Sequence, residues 1–369
     1  MTRLGVAAAL VGGTLVPGDV EVDGGAIAAV GVSPAGGSGL AAPGFIDVQV
    51  NGYAGIDFLA TDADGLLDAG AAMARAGVTA YQPTLISSPE AAYGPALAAV
   101  AGARAARPRG ARVLGAHIEG PFLSPKRYGA HDPRYVVAPD LALAARLLDL
   151  GPVTHVTVAV EEAGGEDLVR FLVERGVVVA LGHSDADAAA ARRGFDLGAR
   201  SVTHLFNAQH PWSSRDPGLP GVALTRDDVF VTLIVDGVHL APEATQLAWR
   251  AARGRFVLVT DAIAAAGMPD GEYLLGDRRT VVRDGAVRLE DGTLAGSVLT
   301  MDRAVRNLVA YGAPVPEALD AASRVAARLL RREDEVGDLR PGMRADVVVL
   351  DDALAVRRTL VGGDEVFAA

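Results

Sequence analysis

Eight apolar stretches recur along the chain, each followed by a segment with helical character. Their starts lie 24 to 41 residues apart, which is the length of one strand, one helix and their connections. Uninterrupted apolar runs such as 177–181 are typical of strands buried on both faces. The predicted strands are Gly44–Asn51, Val78–Ile86, Arg112–Glu119, Val153–Glu161, Val177–His183, Ser201–Asn207, Phe230–Asp236 and Phe256–Asp261. Eight such repeats predict an α/β fold, a (β/α)8 TIM-type barrel.

Short strands with tight turns precede and follow this repeat. Asp23-Gly24 lies between two strand-like runs, which is typical of a hairpin. We expect the two strand-rich ends to pair as a small β-sandwich domain. The predicted domains are therefore 1–43 plus 341–369 for the β-domain and 44–340 for the barrel. Residues 272–293 break the rhythm with another Asp-Gly hairpin, and we interpret them as an insertion after the eighth strand.

The composition narrows the functional classes. Half of the 369 residues are hydrophobic, which is enough for a large core. A net charge of −11 argues against a nucleic-acid partner, and the absence of cysteine excludes disulfides, thiolate nucleophiles and cysteine-held metals. No apolar run reaches the ~18 residues of a membrane helix. The apolar run near residue 1 ends already at Gly12-Gly13, so we expect no cleaved signal peptide. We also expect no membrane association and a cytoplasmic location.

Polar residues with metal-binding chemistry stand at the ends of several predicted strands. Glu119 ends the third strand, His183 ends the fifth and His204 lies in the sixth. The carboxyl ends of barrel strands meet at one face, so these residues can converge although they lie far apart in the sequence. One carboxylate and two imidazoles form a three-ligand set with an open position, suited to a divalent metal that activates water. Asp261 ends the eighth strand and is then the natural general base and acid.

Other polar residues have both structural and functional interpretations. His131 and His239 follow strands on loops over the expected mouth, and Arg215 could bind an anion. An ordinary loop histidine or surface arginine would look the same. His117, two residues before Glu119, fits either a role beside the metal ligands or a buried structural role. His155 is interpreted as a structural residue within the fourth strand, and His210 as an ordinary loop residue.

The chain resembles the N-acetylglucosamine-6-phosphate deacetylases of the amidohydrolase superfamily. The matching segments occur in family order over nearly the whole chain, and their combination is specific. They are Pro43–Gly52, His117–Phe122, Gly182–Ser184, Thr203–Ala208, Asp236–His239, Val259–Ala262 and Leu294–Ser297. The resemblance implies a barrel with a β-domain built from both termini, a homodimer, and a role in amino sugar metabolism.

The resemblance also implies roles for individual residues. It implies that Glu119, His183 and His204 bind the metal and that Asp261 is the catalytic acid and base. It implies that His239 polarises or binds the substrate and that His131 contacts the sugar. The phosphate would be bound by Asn207, Ala208 and Arg215. Some of these contacts in such dimers can come from the partner subunit. The implied partner is a small amino-sugar phosphate.

Two positions depart from the family pattern. Many amidohydrolases carry His-x-His on the first strand for a second metal, whereas this chain has Gln49-Val50-Asn51. Amides are poor substitutes for imidazoles, so we predict one metal ion per subunit; whether Gln49 leaves a weak second site is open. Zinc is expected first, with iron, manganese or cobalt as alternatives. Gln209 stands where the family often has methionine, with no effect that the sequence explains.

The predicted reaction is hydrolysis of the acetamide of N-acetyl-D-glucosamine 6-phosphate to D-glucosamine 6-phosphate and acetate. The enzyme would then be a metal-dependent amidohydrolase acting on a linear amide. Two alternatives remain open at this point. The same metal barrel could act on N-acetylgalactosamine 6-phosphate, a cyclic amide or an amino-purine, or the barrel could bind a sugar phosphate or a partner protein without catalysis.

Overall fold

The chain begins with six short strands, in a computed structural model that describes residues 1–369. The strands are β1 (Thr2–Arg3), β2 (Ala8–Val11), β3 (Thr14–Pro17), β4 (Asp19–Asp23), β5 (Ala26–Val32) and β6 (Leu40–Pro43). β4 and β5 pair antiparallel around Gly24-Gly25, and both glycines have positive φ angles, 55° and 82°. Two successive positive φ angles are what a two-residue hairpin turn requires and what glycine adopts easily, so the predicted hairpin is confirmed.

A nearly closed barrel of eight parallel strands lies at the centre of the fold. All eight predicted strands are present, the third of them in two parts, β11 and β12. The strands of this region, with a short β8–β9 hairpin, are β7 (Phe45–Val50), β8 (Gly52–Tyr53), β9 (Ile56–Asp57), β10 (Val78–Ile86), β11 (Arg112–Val113), β12 (Ala116–Glu119), β13 (Val153–Val158), β14 (Val178–Leu181), β15 (Ser201–Val202), β16 (Phe230–Ile234) and β17 (Phe256–Val259).

The sixth barrel strand is shorter than predicted. The sequence pattern placed its end at Asn207, whereas β15 ends at Val202. His204 and Phe206 have φ angles of 30° and 75°, which an extended strand cannot contain. The residues beyond Val202 therefore form a loop over the barrel mouth.

The seam between the first and last barrel strands is joined by backbone and side-chain hydrogen bonds. The backbone N–H of Asp261 donates to the carbonyl of Gln49 at 2.9 Å, and that of Asn51 donates to the carbonyl of Ala262 at 2.7 Å. One step further down, the Thr260 hydroxyl donates to the buried carboxylate of Asp47 at 2.5 Å. Burial raises the pKa of Asp47 to about 7.

Helices connect the barrel strands and cover them. They are α1 (Ala63–Ala74), α2 (Glu90–Ala105), α3 (Leu141–Leu150), α4 (Gly165–Glu174), α5 (Ala188–Asp196), α6 (Gly218–Thr225), α7 (Pro242–Ala251), α8 (Met301–Ala310), α9 (Val315–Ala321) and α10 (Arg324–Leu329). Asp62, Asp140 and Asp187 accept backbone N–H groups at the starts of α1, α3 and α5. No helix combines the length and the apolar character needed to cross a membrane.

The predicted insertion after the eighth barrel strand is a separate small sheet. Its antiparallel strands are β18 (Gly271–Leu275), β19 (Arg278–Arg283) and β20 (Ala286–Arg288). The β19–β20 turn contains the predicted Asp284-Gly285 pair, and both residues have positive φ. The residues around this sheet form one wall of the cavity described below.

Both chain ends meet in one six-stranded sheet. The last strands are β21 (Val347–Leu350), β22 (Val356–Val361) and β23 (Asp364–Ala368), and the sheet order is β23-β22-β21-β6-β2-β3. A second sheet, β1-β4-β5, packs with it around a core that includes Leu4, Val20 and Val347. The predicted pairing of the ends is confirmed, whereas the division at residues 43 and 341 stays a prediction.

Candidate active site

Glu119, His183 and His204 meet at the carboxyl face of the barrel. The Nε2 atoms of His183 and His204 lie 3.2 and 2.9 Å from Oε1 of Glu119, and 3.0 Å from each other. All three residues are buried. Burial alone would raise the pKa of Glu119, but the contacts with the two imidazoles hold it well below its ordinary value. An ionised carboxylate and two imidazole nitrogens thus point at one place.

The donor atoms of this cluster fit a divalent transition metal. Nδ1 of His183 lies 2.9 Å from the carbonyl of Arg127, and because a carbonyl only accepts, this nitrogen carries the proton. Nε2 of His183 then presents its lone pair to the cluster. Such an outer hydrogen bond is typical of histidines that bind metals. Two nitrogens and one carboxylate oxygen also match the ligands of catalytic zinc sites that keep a position open.

Three site residues share an uncommon backbone conformation. His183, His204 and Asp261 have φ angles of 47°, 30° and 48°, in the left-handed region. Each follows the end of a barrel strand, so the chain turns there and directs the side chain into the barrel mouth. Such a conformation costs a non-glycine residue about 1–3 kcal/mol and is concentrated at functional sites.

Asp261 lies beside the cluster and is held by two amides. Asn51 Nδ2 donates to its Oδ1 at 2.7 Å, and Gln49 Nε2 donates to the same oxygen at 3.2 Å and to Glu119 Oε1 at 2.9 Å. Oδ2 of Asp261 accepts no hydrogen bond from the chain, and the residue lines the cavity. Burial, together with the charge of Glu119, raises the pKa of Asp261 to about 7. A carboxylate with such a pKa suits general base catalysis near neutral pH.

His239 is oriented by a carboxylate that the sequence analysis did not assign to the site. Asp236 Oδ2 lies 2.7 Å from Nδ1 of His239, and Oδ1 accepts the backbone N–H groups of Val238 and His239 at 2.8 Å. Burial would raise the pKa of Asp236, but the contact with His239 outweighs it and lowers the pKa. Nε2 of His239 is therefore the nitrogen left for a substrate. The three-residue spacing in Asp236-Gly-Val-His239 was the available signal.

His131 is oriented by the end of β10. The backbone N–H of Ser87 donates to Nδ1 of His131 at 3.2 Å. Because a backbone N–H only donates, Nδ1 is the acceptor and Nε2 carries the ring proton. Burial and the neighbouring His183 lower the pKa of His131 to about 3, so the ring is neutral with one donor left for a ligand. Nothing in the sequence pattern pointed to Ser87.

A cavity of about 240 Å³ gathers these side chains. It contains every predicted site residue except Arg215: Glu119, His131, His183, His204, Asn207, Ala208, His239 and Asp261. Leu275, Thr293 and Leu294 from around the inserted sheet form part of its wall. Arg215 is exposed on the loop before α6 and does not line the cavity of its own chain.

The remaining histidines have structural surroundings. His117 and His155 stack at 4.0 Å in the barrel interior, where burial lowers the pKa of both rings. His117 contacts the carbonyl of Val48 and the hydroxyl of Thr157, and it does not line the cavity. These contacts favour the structural interpretation of His117. His210 lies on a loop, as expected.

Comparison with known proteins places this chain in a family. The amidohydrolase family model matches residues 40–366. The N-acetylglucosamine-6-phosphate deacetylase of Danio rerio is 39% identical over 89% of this chain and 84% of its own length. The N-acetylgalactosamine-6-phosphate deacetylase of Escherichia coli O157:H7 is 38% identical over 88% of this chain and 87% of its own length.

Solved structures agree with these relatives. The N-acetylglucosamine-6-phosphate deacetylase of Thermotoga maritima superposes with a TM-score of 0.93 at 33% identity, covering 100% of both chains. A mutant of the Mycobacterium smegmatis deacetylase, in complex with N-acetyl-D-glucosamine-6-phosphate, gives 0.93 at 34% identity, covering 100% of this chain and 99% of that one. The chain therefore belongs to the amidohydrolase family, among the relatives of the N-acetylglucosamine-6-phosphate deacetylases.

Proposed function

We propose that this amidohydrolase converts N-acetyl-D-glucosamine 6-phosphate and water to D-glucosamine 6-phosphate and acetate. The observation that carries the proposal is the buried cluster of Glu119, His183 and His204 beside Asp261, whose Oδ2 has no protein partner. The same cavity contains residues that can bind a sugar and a phosphate. The names of the relatives support this substrate.

One divalent ion per subunit would be held by Glu119, His183 and His204. When bound there, it makes water a nucleophile near neutral pH and polarises the acetamide carbonyl. A second ion would need ligands from the first barrel strand. Gln49 and Asn51 instead present their NH2 groups to Glu119 and Asp261, and a hydrogen-bond donor repels a cation. Zinc is the first choice, and iron, manganese and cobalt suit the same donors.

Asp261 moves the proton in this mechanism. Its Oδ2 accepts a proton from the attacking water as the new C–O bond forms at the acetamide carbon. The same oxygen then delivers that proton to the nitrogen as the C–N bond breaks, which releases acetate and the amine. Asn51 and Gln49 hold Oδ1 throughout, so the carboxylate keeps Oδ2 towards the reacting atoms.

His239 stabilises the charge that grows on the carbonyl oxygen. Protonated at Nε2, it donates a hydrogen bond to this oxygen. Asp236 holds Nδ1 at 2.7 Å and so keeps Nε2 directed towards this oxygen. The pair thus resembles the orienting carboxylate and histidine of other hydrolytic sites.

The sugar and the phosphate bind at separate places in the cavity. The Nε2–H of His131 donates to a sugar hydroxyl. Asn207 and the backbone N–H of Ala208, which has no acceptor within the chain, donate to the phosphate. Arg215 lies outside the cavity of its own chain, so in the proposed homodimer the arginine at the phosphate comes from the second subunit.

The galactosamine epimer is the second candidate substrate, because a relative that is 38% identical is named N-acetylgalactosamine-6-phosphate deacetylase. Acetate release from both phosphosugars and from unphosphorylated N-acetylglucosamine, by protein reconstituted with zinc, tests the proposal. We expect the highest kcat/KM for N-acetyl-D-glucosamine 6-phosphate. Preference for the galactosamine epimer would reassign the substrate, and no release from any of the three would overturn the deacetylase proposal.

A further inference from the structure

Gln209 is buried beneath the loop that carries His204, Asn207 and Ala208. Its side chain is only about 5% exposed. The Nε2 group donates to the carbonyl of Thr203 at 2.8 Å, and Oε1 accepts the backbone N–H of Phe206 at 3.0 Å. The two contacts lie on either side of His204. Gln209 therefore connects the backbone just before the proposed metal ligand with the backbone just after it.

The loop has an unusual need for such support. His204, Phe206 and Ala208 have left-handed φ angles of 30°, 75° and 49° within five residues. Residues other than glycine adopt this left-handed backbone conformation only where the surrounding structure enforces it. Beyond the end of β15, the N–H of Thr203 still donates to the carbonyl of Leu181 at 3.0 Å, but the carbonyl of Thr203 and the N–H of Phe206 have no backbone partner. The amide of Gln209 supplies the partners of these two groups.

The same segment is joined to the neighbouring barrel strand through the backbone. The N–H of Ser184 donates to the carbonyl of Ala208 at 3.2 Å, and that of His210 donates to the carbonyl of Ser184 at 2.9 Å. Ser184 directly follows His183. A displacement of the loop would therefore move Ala208 and His204 together and would also affect the backbone beside His183.

From these contacts we infer that Gln209 is a positioning residue that couples the phosphate-binding segment to the metal ligand His204. The effect expected on substrate binding rests on the proposed function, whereas the effect expected on metal binding does not. Gln209 does not line the cavity, so its side chain would contact neither a bound substrate nor the metal. It holds the turn that directs His204 towards Glu119 and presents the N–H of Ala208 to the cavity.

The test compares Gln209→Met with wild type. Methionine has nearly the same length and volume but cannot form either hydrogen bond. We expect KM for N-acetyl-D-glucosamine 6-phosphate to rise about tenfold, with a smaller loss in kcat, because one well-made buried hydrogen bond is worth about that factor. We also expect weaker zinc binding, seen as a larger dissociation constant in competition with a chelator in the absence of substrate.

Gln82→Met is the matched control. Gln82 is also buried, and both ends of its amide are hydrogen-bonded, to Thr154 and His155 within the barrel interior. A merely structural role predicts that both variants lower the melting temperature and leave KM and zinc affinity unchanged. A change in KM or zinc affinity in Gln209→Met beyond that in Gln82→Met supports positioning.

Equal KM and equal zinc affinity in the two variants would overturn the positioning role of Gln209. If Gln209→Met does not fold, Gln209→Glu is measured by the same criteria, since it keeps an acceptor for the N–H of Phe206. If the wild-type protein releases no acetate from the phosphosugar, the proposed function fails, and the zinc titration still decides the role of Gln209.

Discussion

Asn51 donates a 2.7 Å hydrogen bond from its side-chain amide to Oδ1 of Asp261, across the seam between the first and last barrel strands. Gln49 reaches from the same strand to both Asp261 and Glu119. The first strand therefore supplies hydrogen-bond donors where a two-metal site would need ligands. This relationship explains how a buried carboxylate keeps a fixed orientation beside Glu119, His183 and His204.

Replacing Asp261 with asparagine should abolish acetate release while zinc binding is retained. The amide cannot accept the proton of the attacking water, and general base catalysis contributes about 10²–10⁴-fold to such rates. Zinc content by elemental analysis serves as the control for an intact site. Near-wild-type turnover in Asp261→Asn would show that another group acts as the base.

Replacing Asn51 with leucine should shift the acidic limb of the pH–rate profile to higher pH. The hydrogen bond from Asn51 favours the charged form of Asp261 and lowers its pKa, so its loss raises the pKa. The base must be deprotonated to work, and therefore activity should fall at a higher pH than in wild type. The profile of kcat/KM measures this limb, and an unchanged limb would separate Asn51 from the proton transfer.

Removal of the metal should abolish activity and lower the melting temperature. A ligand that binds only the folded state stabilises it by about 2.7 kcal/mol at a concentration of 100 Kd. Thermal unfolding with a chelator, and again after addition of zinc, manganese or cobalt, measures this difference. Glu119→Gln should lose the response to added metal, because an amide is a weaker ligand than a carboxylate. A full response in that variant would place the metal elsewhere.

Asp47 should make the protein less stable as the pH rises. Its pKa in the fold is raised to about 7, whereas the ordinary value is 3.8. Between these values the unfolded chain has lost the proton that the folded chain still holds, so stability present at low pH falls by up to about 1.4 kcal/mol per pH unit. Urea unfolding of wild type and Asp47→Asn from pH 4 to pH 7 measures the difference. Parallel curves would contradict a protonated Asp47.

Arg215→Ala should raise KM for the phosphosugar at least about tenfold, as expected for loss of a charged hydrogen bond, and should leave the unphosphorylated sugar unaffected. Because Arg215 lies outside its own cavity, the effect should act through the second subunit. Mixed dimers of Arg215→Ala and Asp261→Asn chains then contain one intact site, and random mixing restores about one quarter of the wild-type activity. No recovery in mixtures would contradict the shared site.

The strand pattern alone predicted the barrel and the cluster of Glu119, His183 and His204 for one physical reason. Parallel strands buried on both faces are long apolar runs, and their carboxyl ends meet at one face whatever the distance between them in the chain. Glu119, His183 and Asp261 could therefore be assigned from their places after such runs. The inserted hairpin was also predictable, because Asp284-Gly285 marks a turn between alternating residues.

The orientation of the site side chains could not be predicted from the sequence in the same way. The partners of His131, His239 and Asp261 are Ser87, Asp236 and the amides of Gln49 and Asn51, and most of these lie on other strands. A hydrogen bond depends on distances of a few tenths of an ångström between groups that only packing brings together. Arg215 has the residue type expected of a phosphate ligand, yet the path of its loop leaves it outside the cavity. The pattern along the chain determined which chemistry is present, and the packed barrel determined which atoms can act together, because contacts between distant strands exist only once the chain has folded.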